Sequence, residues 1–203
     1  MILYGTAQVL FGTYMRLALG LTAKGRELVP TSGPLIVCAN HTHWLDPLVI
    51  AHASPRRIYF MAKQELFANP VMAAALRGVG AFPVRRGEID RAALRRTLDL
   101  LHDAQAVGIF PEGTRSRDGR LSPGEPGAAA MSLMTGATVI PAGIDGFRPG
   151  TRLRITWGEP INPAKYGGAP ARRDRAAVQA FTEDIMASIA RLSGRQRSGG
   201  GEH

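Results

Sequence analysis

At 203 residues the chain is long enough for one sizeable core and short for two, so a single domain is expected. Its 25 Lys+Arg against 16 Asp+Glu give a net charge of +9, and all but three of the basic residues are arginine, which suits phosphate on nucleic acid, anionic lipid or a phosphorylated small molecule. No arginine-aromatic interleaving, RNP-like or helix-turn-helix pattern occurs, which argues against nucleic acid; the single cysteine excludes an intrachain disulfide framework and fits a reducing compartment.

Residues 1–22 are uncharged except for Arg16 and lack the basic start and cleavage site of a signal peptide. Wound as a helix, they place Leu3, Ala7, Leu10, Tyr14, Leu17 and Leu21 on one stripe and Gly5, Gln8, Gly12, Arg16 and Gly20 on the opposite one. A spanning helix needs roughly 20 predominantly apolar residues, which this segment only just reaches. The expectation is an amphipathic helix lying in a membrane interface. A helix packed on the domain fits the periodicity equally well.

Gly33-Pro34 opens the apolar run Leu35–Ala39, without helical period, which reads as a strand buried on both faces with Cys38 as a small core residue. It ends in Asn40-His41-Thr42-His43-Trp44-Leu45-Asp46-Pro47, where Asp46-Pro47 has the form of an N-cap opening a helix to about Ala53. On a helix, residues five apart point about 140° from each other, but a tight turn can return the Asp46 carboxylate to the His41 ring. A histidine so held is oriented to take a proton from an alcohol. The plain alternative is that Asp46 only caps and His41 only satisfies a carbonyl.

Downstream, Ile58–Ala62 reads as a strand leading into Lys63-Gln64-Glu65-Leu66-Phe67, and Asn69-Pro70 starts a helix to about Arg77. Ala81–Val84 is extended and delivers Arg85-Arg86-Gly87; Ile89–Ala106 is helical, with Leu94, Leu98 and Leu101 on one face. The buried strand Val107–Phe110 stops in Pro111-Glu112-Gly113-Thr114-Arg115-Ser116, a second polar cluster at a strand end, before an exposed turn at Arg117–Arg120. A helix over Gly127–Thr135, closed by Gly136, precedes a strand over Thr138–Ile144 in which Pro141 argues for a sheet edge or a bulge. Leu153–Trp157 alternates as a half-exposed strand, Pro160–Pro170 is loop, Ala171–Leu192 is an amphipathic helix, and Ser193–His203 is a polar tail expected to be disordered. The whole predicts an α/β domain over residues 23–192, a mostly parallel mixed sheet flanked by helices, with ligands beyond the carboxyl ends of the strands.

Four blocks, Asn40-His41-x4-Asp46, Gly80-Ala81-Phe82-Pro83-Val84-Arg85-Arg86, Phe110-Pro111-Glu112-Gly113-Thr114-Arg115-Ser116 and Val139-Ile140-Pro141-Ala142-Gly143, resemble in order and spacing those of the glycerolipid acyltransferases, most closely the 1-acylglycerol-3-phosphate acyltransferases. The resemblance covers roughly residues 30–165. It implies transfer of a fatty acyl group from acyl-CoA, or acyl-carrier protein, to a lysophospholipid hydroxyl at the cytoplasmic face of the cell membrane, with no metal and no cofactor beyond the donor. It also implies His41 as general base, Asp46 as its orienting group, and Arg86, Glu112, Gly113, Thr114 and Arg115 as the site of the acceptor's glycerol phosphate. Guanidinium groups clamp phosphate bidentately, and glycine lets backbone amides approach an anion. Lys63, in a family-like Met-Ala-Lys-Gln-Glu-Leu-Phe stretch, either polarises the thioester or contacts the donor's phosphates; a surface lysine is the plain alternative.

The chain departs from the family pattern at His43, commonly serine, at Arg85, often acidic, and at Pro126, often basic. Two other functions stay open: a thioesterase or lipid hydrolase with water as acceptor, against whose serine-lipase form the lack of a Gly-x-Ser-x-Gly elbow argues, and a non-catalytic lipid-binding protein.

Overall fold

The computed structural model describes residues 20–85, 90–116, 119–147 and 151–197. Short apolar runs become seven strands of one sheet: β1 (Thr22–Lys24), β2 (Leu35–Ala39), β3 (Ile58–Lys63), β4 (Ala81–Val84), β5 (Ala106–Ile109), β6 (Thr138–Asp145) and β7 (Arg154–Trp157). Their spatial order is β1-β7-β6-β2-β5-β3-β4. From β6 to β4 all neighbours are parallel; β7 runs antiparallel to β6, and β1 parallel to β7. The expected mostly parallel mixed sheet is therefore present.

Among the described residues five α-helices connect or cover the strands: α1 (Asp46–Ala53), α2 (Pro70–Gly78), α3 (Arg91–His102), α4 (Gly127–Thr135) and α5 (Arg175–Ser193). The central β2 is fully buried because its side chains alternate between two cores. Leu35, Val37 and Ala39 join Val49 and Ile50 of α1 on one face. Ile36 and Cys38 join Leu100 of α3, Leu133 of α4 and Phe181 and Ile185 of α5 on the other. Burial pushes the Cys38 thiol far up, as fits a core residue.

Several expectations are corrected. Residues 1–19 lie outside the described residues, but Thr22 starts a strand, so a helix through residue 22 is excluded; Thr22–Lys24 pair with Arg154–Thr156 instead. Pro141 is not at a sheet edge, since β6 lies between β2 and β7, but the expected bulge is there. Past the Ala142–Trp157 pair Gly158 N–H donates to the Pro141 carbonyl at 2.8 Å, and pairing resumes between Val139 and Ile161 with one extra residue on the partner segment. The α3 helix turns Leu94 outward and buries Ala93, Thr97, Leu100 and Leu101, since the small residues let it approach the sheet closely. Ala106 belongs to β5, and Pro160–Pro170 holds a 3-10 turn at Pro163–Tyr166. Of the expected disordered tail, residues 194–197 are tied in: Arg195 donates to the Gly119 carbonyl, 2.7 Å, and the Gln196 carbonyl accepts from Leu121 N–H, 3.0 Å.

Gly108 in β5 faces the Phe60 ring so closely that an added Cβ would fall 2.0 Å from Phe60 Cε1. Gly108→Ala is expected to cost about 1–3 kcal/mol of stability through overpacking, read as a lower urea midpoint at unchanged slope.

Candidate active site

The carboxyl ends of β2, β5 and β6 lie side by side. Cys38 is level with Ile109 on one flank and with Pro141 on the other, so the polar stretches after Ala39 and Ile109 emerge together although 71 residues separate His41 from Glu112. Asn40, fully buried, staples β2 to β6 in both directions: its side-chain amide donates to the Ile144 carbonyl, 2.8 Å, and its oxygen accepts from Ile144 N–H, 2.7 Å. An Asn directly after a buried strand is the sequence signal for such a staple, since a buried amide must find partners.

The turn after β2 is built around one carboxylate oxygen. Asp46 Oδ2 accepts from the backbone N–H of Thr42 at 2.7 Å and of His43 at 2.8 Å, and meets His41 Nδ1 at 2.9 Å. Asp46 is thus not the N-cap expected of it. It is the first residue of α1, while Leu45 holds the cap position without a side-chain bond, because the carboxylate faces back into the turn. A carboxylate only accepts, so the network assigns the hydrogen to Nδ1 and leaves Nε2 of His41 with its lone pair. Among the described residues nothing hydrogen-bonds Nε2, and about a tenth of the side chain remains exposed. Phe110 stacks on the ring at 4.1 Å and fixes its plane. His43 is oriented the other way: its Nδ1 accepts from Leu45 N–H at 3.3 Å and its ring stacks on Phe147 at 4.2 Å, so its Nε2 carries the hydrogen. The two imidazoles are not equivalent, and only His41 presents a base.

The loop after β5 is fastened to His41 at both ends. Glu112 Oε1 accepts from His41 N–H at 2.9 Å, and Ser116 N–H donates to the His41 carbonyl at 2.9 Å. The other Glu112 oxygen accepts from Ser122 N–H at 3.1 Å. Burial raises the Glu112 carboxyl above its ordinary range, with the His41 and Ser122 amides pulling against it. Glu112 is therefore spent on holding the histidine loop. Between the two ties Gly113, with φ of 67°, Thr114 and Arg115 are exposed beside His41.

Lys63 ends β3 on the same sheet edge, two strands from β2 and so about 10 Å across. It is half exposed, 3.8 Å from Glu65. Arg85 follows β4 and donates to the Gln64 side chain at 3.0 Å. Gln64, Phe67, Pro83, Arg85 and Asp90 line an open groove of about 820 Å³ there. Backbone donation from Arg85, above all, holds the Asp90 carboxyl below its usual range. Arg86 and Arg117 lie outside the described residues. The structure thus brings His41, Asp46, Glu112, Gly113, Thr114 and Arg115 together and sets Lys63 at a distance on the same edge. Sequence reasoning missed the Phe110 stack, the Asn40 staple and the amide cradle on Asp46. Among the described residues no group of His, Cys, Asp and Glu side chains is placed to hold a metal ion, and no helix is long and apolar enough to cross a membrane.

The chain is similar to known proteins. A 1-acyl-sn-glycerol-3-phosphate acyltransferase of Bacillus subtilis (strain 168) is 28% identical over 184 residues, covering 87% of this chain and 89% of that one. The chloroplastic 1-acyl-sn-glycerol-3-phosphate acyltransferase LPAT1 of Arabidopsis thaliana is 31% identical over 161 residues, and there the chain spans 44% of its relative's length against 71% of its own. The crystal structure of the 1-acyl-sn-glycerophosphate acyltransferase PlsC from Thermotoga maritima superposes with a TM-score of 0.71 at 21% identity, over 96% of this chain and 83% of that one, and so shares the fold. The sequence model of the Acyltransferase family matches residues 20–145, and the chain belongs to that family.

Proposed function

We propose that the protein transfers a fatty acyl group from a thioester donor, acyl-CoA or acyl-carrier protein, to the free hydroxyl of 1-acylglycerol-3-phosphate, giving phosphatidic acid at the cytoplasmic face of the membrane. The observation that carries the reading is the double tie between His41 and the loop 112–116, which sets a base-ready imidazole beside an exposed arginine. His41 Nε2 takes the proton of the acceptor hydroxyl as its oxygen attacks the thioester carbonyl; the C–S bond breaks, and the departing thiolate takes the proton from the imidazolium. The thioester is already activated, so no acyl-enzyme is needed. Asp46 holds the Nδ1 hydrogen and stabilises the imidazolium that forms. Arg115, with Arg86 and the Gly113 backbone, binds the acceptor phosphate, and Lys63 serves the donor.

Incubating the protein with labelled acyl-CoA or acyl-carrier protein and 1-acylglycerol-3-phosphate tests this, phospholipid being separated from free fatty acid. Labelled phosphatidic acid supports the reading; free fatty acid alone makes the protein a hydrolase. Arg115→Ala is expected to raise KM for the phosphate-bearing acceptor by roughly 10- to 100-fold, the worth of a charge-assisted bidentate pair. The check is a parallel titration with 1-acylglycerol, which lacks the phosphate and whose KM is expected to stay put.

A further inference from the structure

The α2 helix has the sequence Pro70-Val71-Met72-Ala73-Ala74-Ala75-Leu76-Arg77-Gly78, and only Ala73 of it is buried. Val71 is 78% exposed, and Met72 and Leu66, in the 3-10 turn just before the helix, are about half exposed. A helix this apolar normally packs its apolar stripe on the protein, and contiguous apolar surface left open marks a contact site.

Its position says what covers it. Leu66, Val71 and Met72 follow the carboxyl end of β3 and so lie on the sheet edge that carries His41. The described chain also enters the fold on this edge: Thr22 pairs with Arg154, which pairs with Asp145, the last residue of β6. There it enters on the β1 side of the sheet, with α2 on the β4 side and the His41 turn between, where Trp44 is 64% exposed. Exposed cations surround the apolar side chains: Lys63, Arg85, and Arg77, whose guanidinium sits over the Phe67 ring. Glu65 and Asp90 are the acids facing them, the first near Lys63 and the second bound by the Arg85 amide. Apolar side chains ringed by arginine and lysine complement an anionic bilayer surface.

We propose that the exposed face formed by Leu66, Val71 and Met72 docks on an anionic lipid bilayer, as a contact separate from residues 1–19, and presents the His41 edge to it. This deepens the proposed function, since it rests on an acceptor carried in a membrane.

The test is the full chain with Val71→Glu and Met72→Glu together, both positions being exposed. Trp157 is buried and Trp44 exposed, so tryptophan emission on titration with phosphatidylglycerol vesicles reports the His41 edge, and co-sedimentation reports binding. The expected result is vesicle binding weakened about tenfold or more, the worth of two apolar side chains denied burial, with thermal melting and turnover of a short-chain, water-soluble 1-acylglycerol-3-phosphate unchanged. Unchanged vesicle binding overturns the proposal, as does a self-association lost in the variant while vesicle binding stays, which gives the face to a second copy. Absence of acyl transfer by the unmodified protein sinks the acyltransferase reading instead, and the vesicle titration still decides the docking surface.

Discussion

His41→Ala is expected to lower acyl transfer roughly 10³-fold while leaving the thermal melt near that of the parent, the ordinary contribution of a positioned general base. The fold survives because its ties to His41 run through the backbone: Glu112 holds the residue's N–H and Ser116 its carbonyl, and neither needs the ring. The ring's own partners are Asp46 and Phe110, whose loss of contact falls mainly on the site. Turnover within a factor of ten of the parent would remove His41 from the mechanism. His43→Ala is the internal control, because its ring nitrogens are oriented as a donor toward solvent and an acceptor toward Leu45.

Asp46 is the second large effect, and its two substitutions separate stability from chemistry. Asp46→Ala leaves the N–H groups of Thr42 and His43 without their acceptor in a turn that is half buried. At about 1–3 kcal/mol for each donor left unmade, the cost is expected near 3 kcal/mol, with activity lost. Asp46→Asn can place its oxygen where Oδ2 stands and keep those amides satisfied, so it is expected to fold nearly as well. It has no charge to stabilise the imidazolium, and kcat is expected to fall by roughly 10²- to 10⁴-fold with KM little changed. Denaturant midpoints and steady-state rates for the two variants check this; an Asp46→Asn variant that folds well and keeps the parent's kcat would mean the carboxylate is only structural.

Much of this site can be read from the chain because its parts sit at the abrupt ends of apolar runs. Leu35–Ala39 into Asn40-His41 and Val107–Phe110 into Pro111-Glu112 mark the two strand ends, and parallel pairing then brings them together. Asp46 was harder. The dipeptide Asp46-Pro47 has the form of a helix cap, and nothing local says that three donors upstream compete for the same carboxylate and win. A lone acid in a polar loop such as Glu112 carries no label for which way it faces; its direction is set by an amide 71 positions away. The leucine stripe Leu94, Leu98 and Leu101 does not by itself say which side of α3 meets the sheet, and close approach favours the small pair Ala93 and Thr97. Pro141, by contrast, marks its surroundings correctly, since the donor it lacks falls where the partner segment after Trp157 bulges by one residue.

The loop fastened at Glu112 and Ser116 amounts to a bridge on two posts. Both posts are anchored by backbone bonds of His41, so the span Gly113-Thr114-Arg115 can vary without disturbing its ring, subject only to a residue that accepts the positive φ at 113. On the proposed mechanism, acceptors with other head groups would be accommodated by rewriting Thr114 and Arg115 on this span, together with Arg86. The proton-transfer machinery would come through the exchange intact.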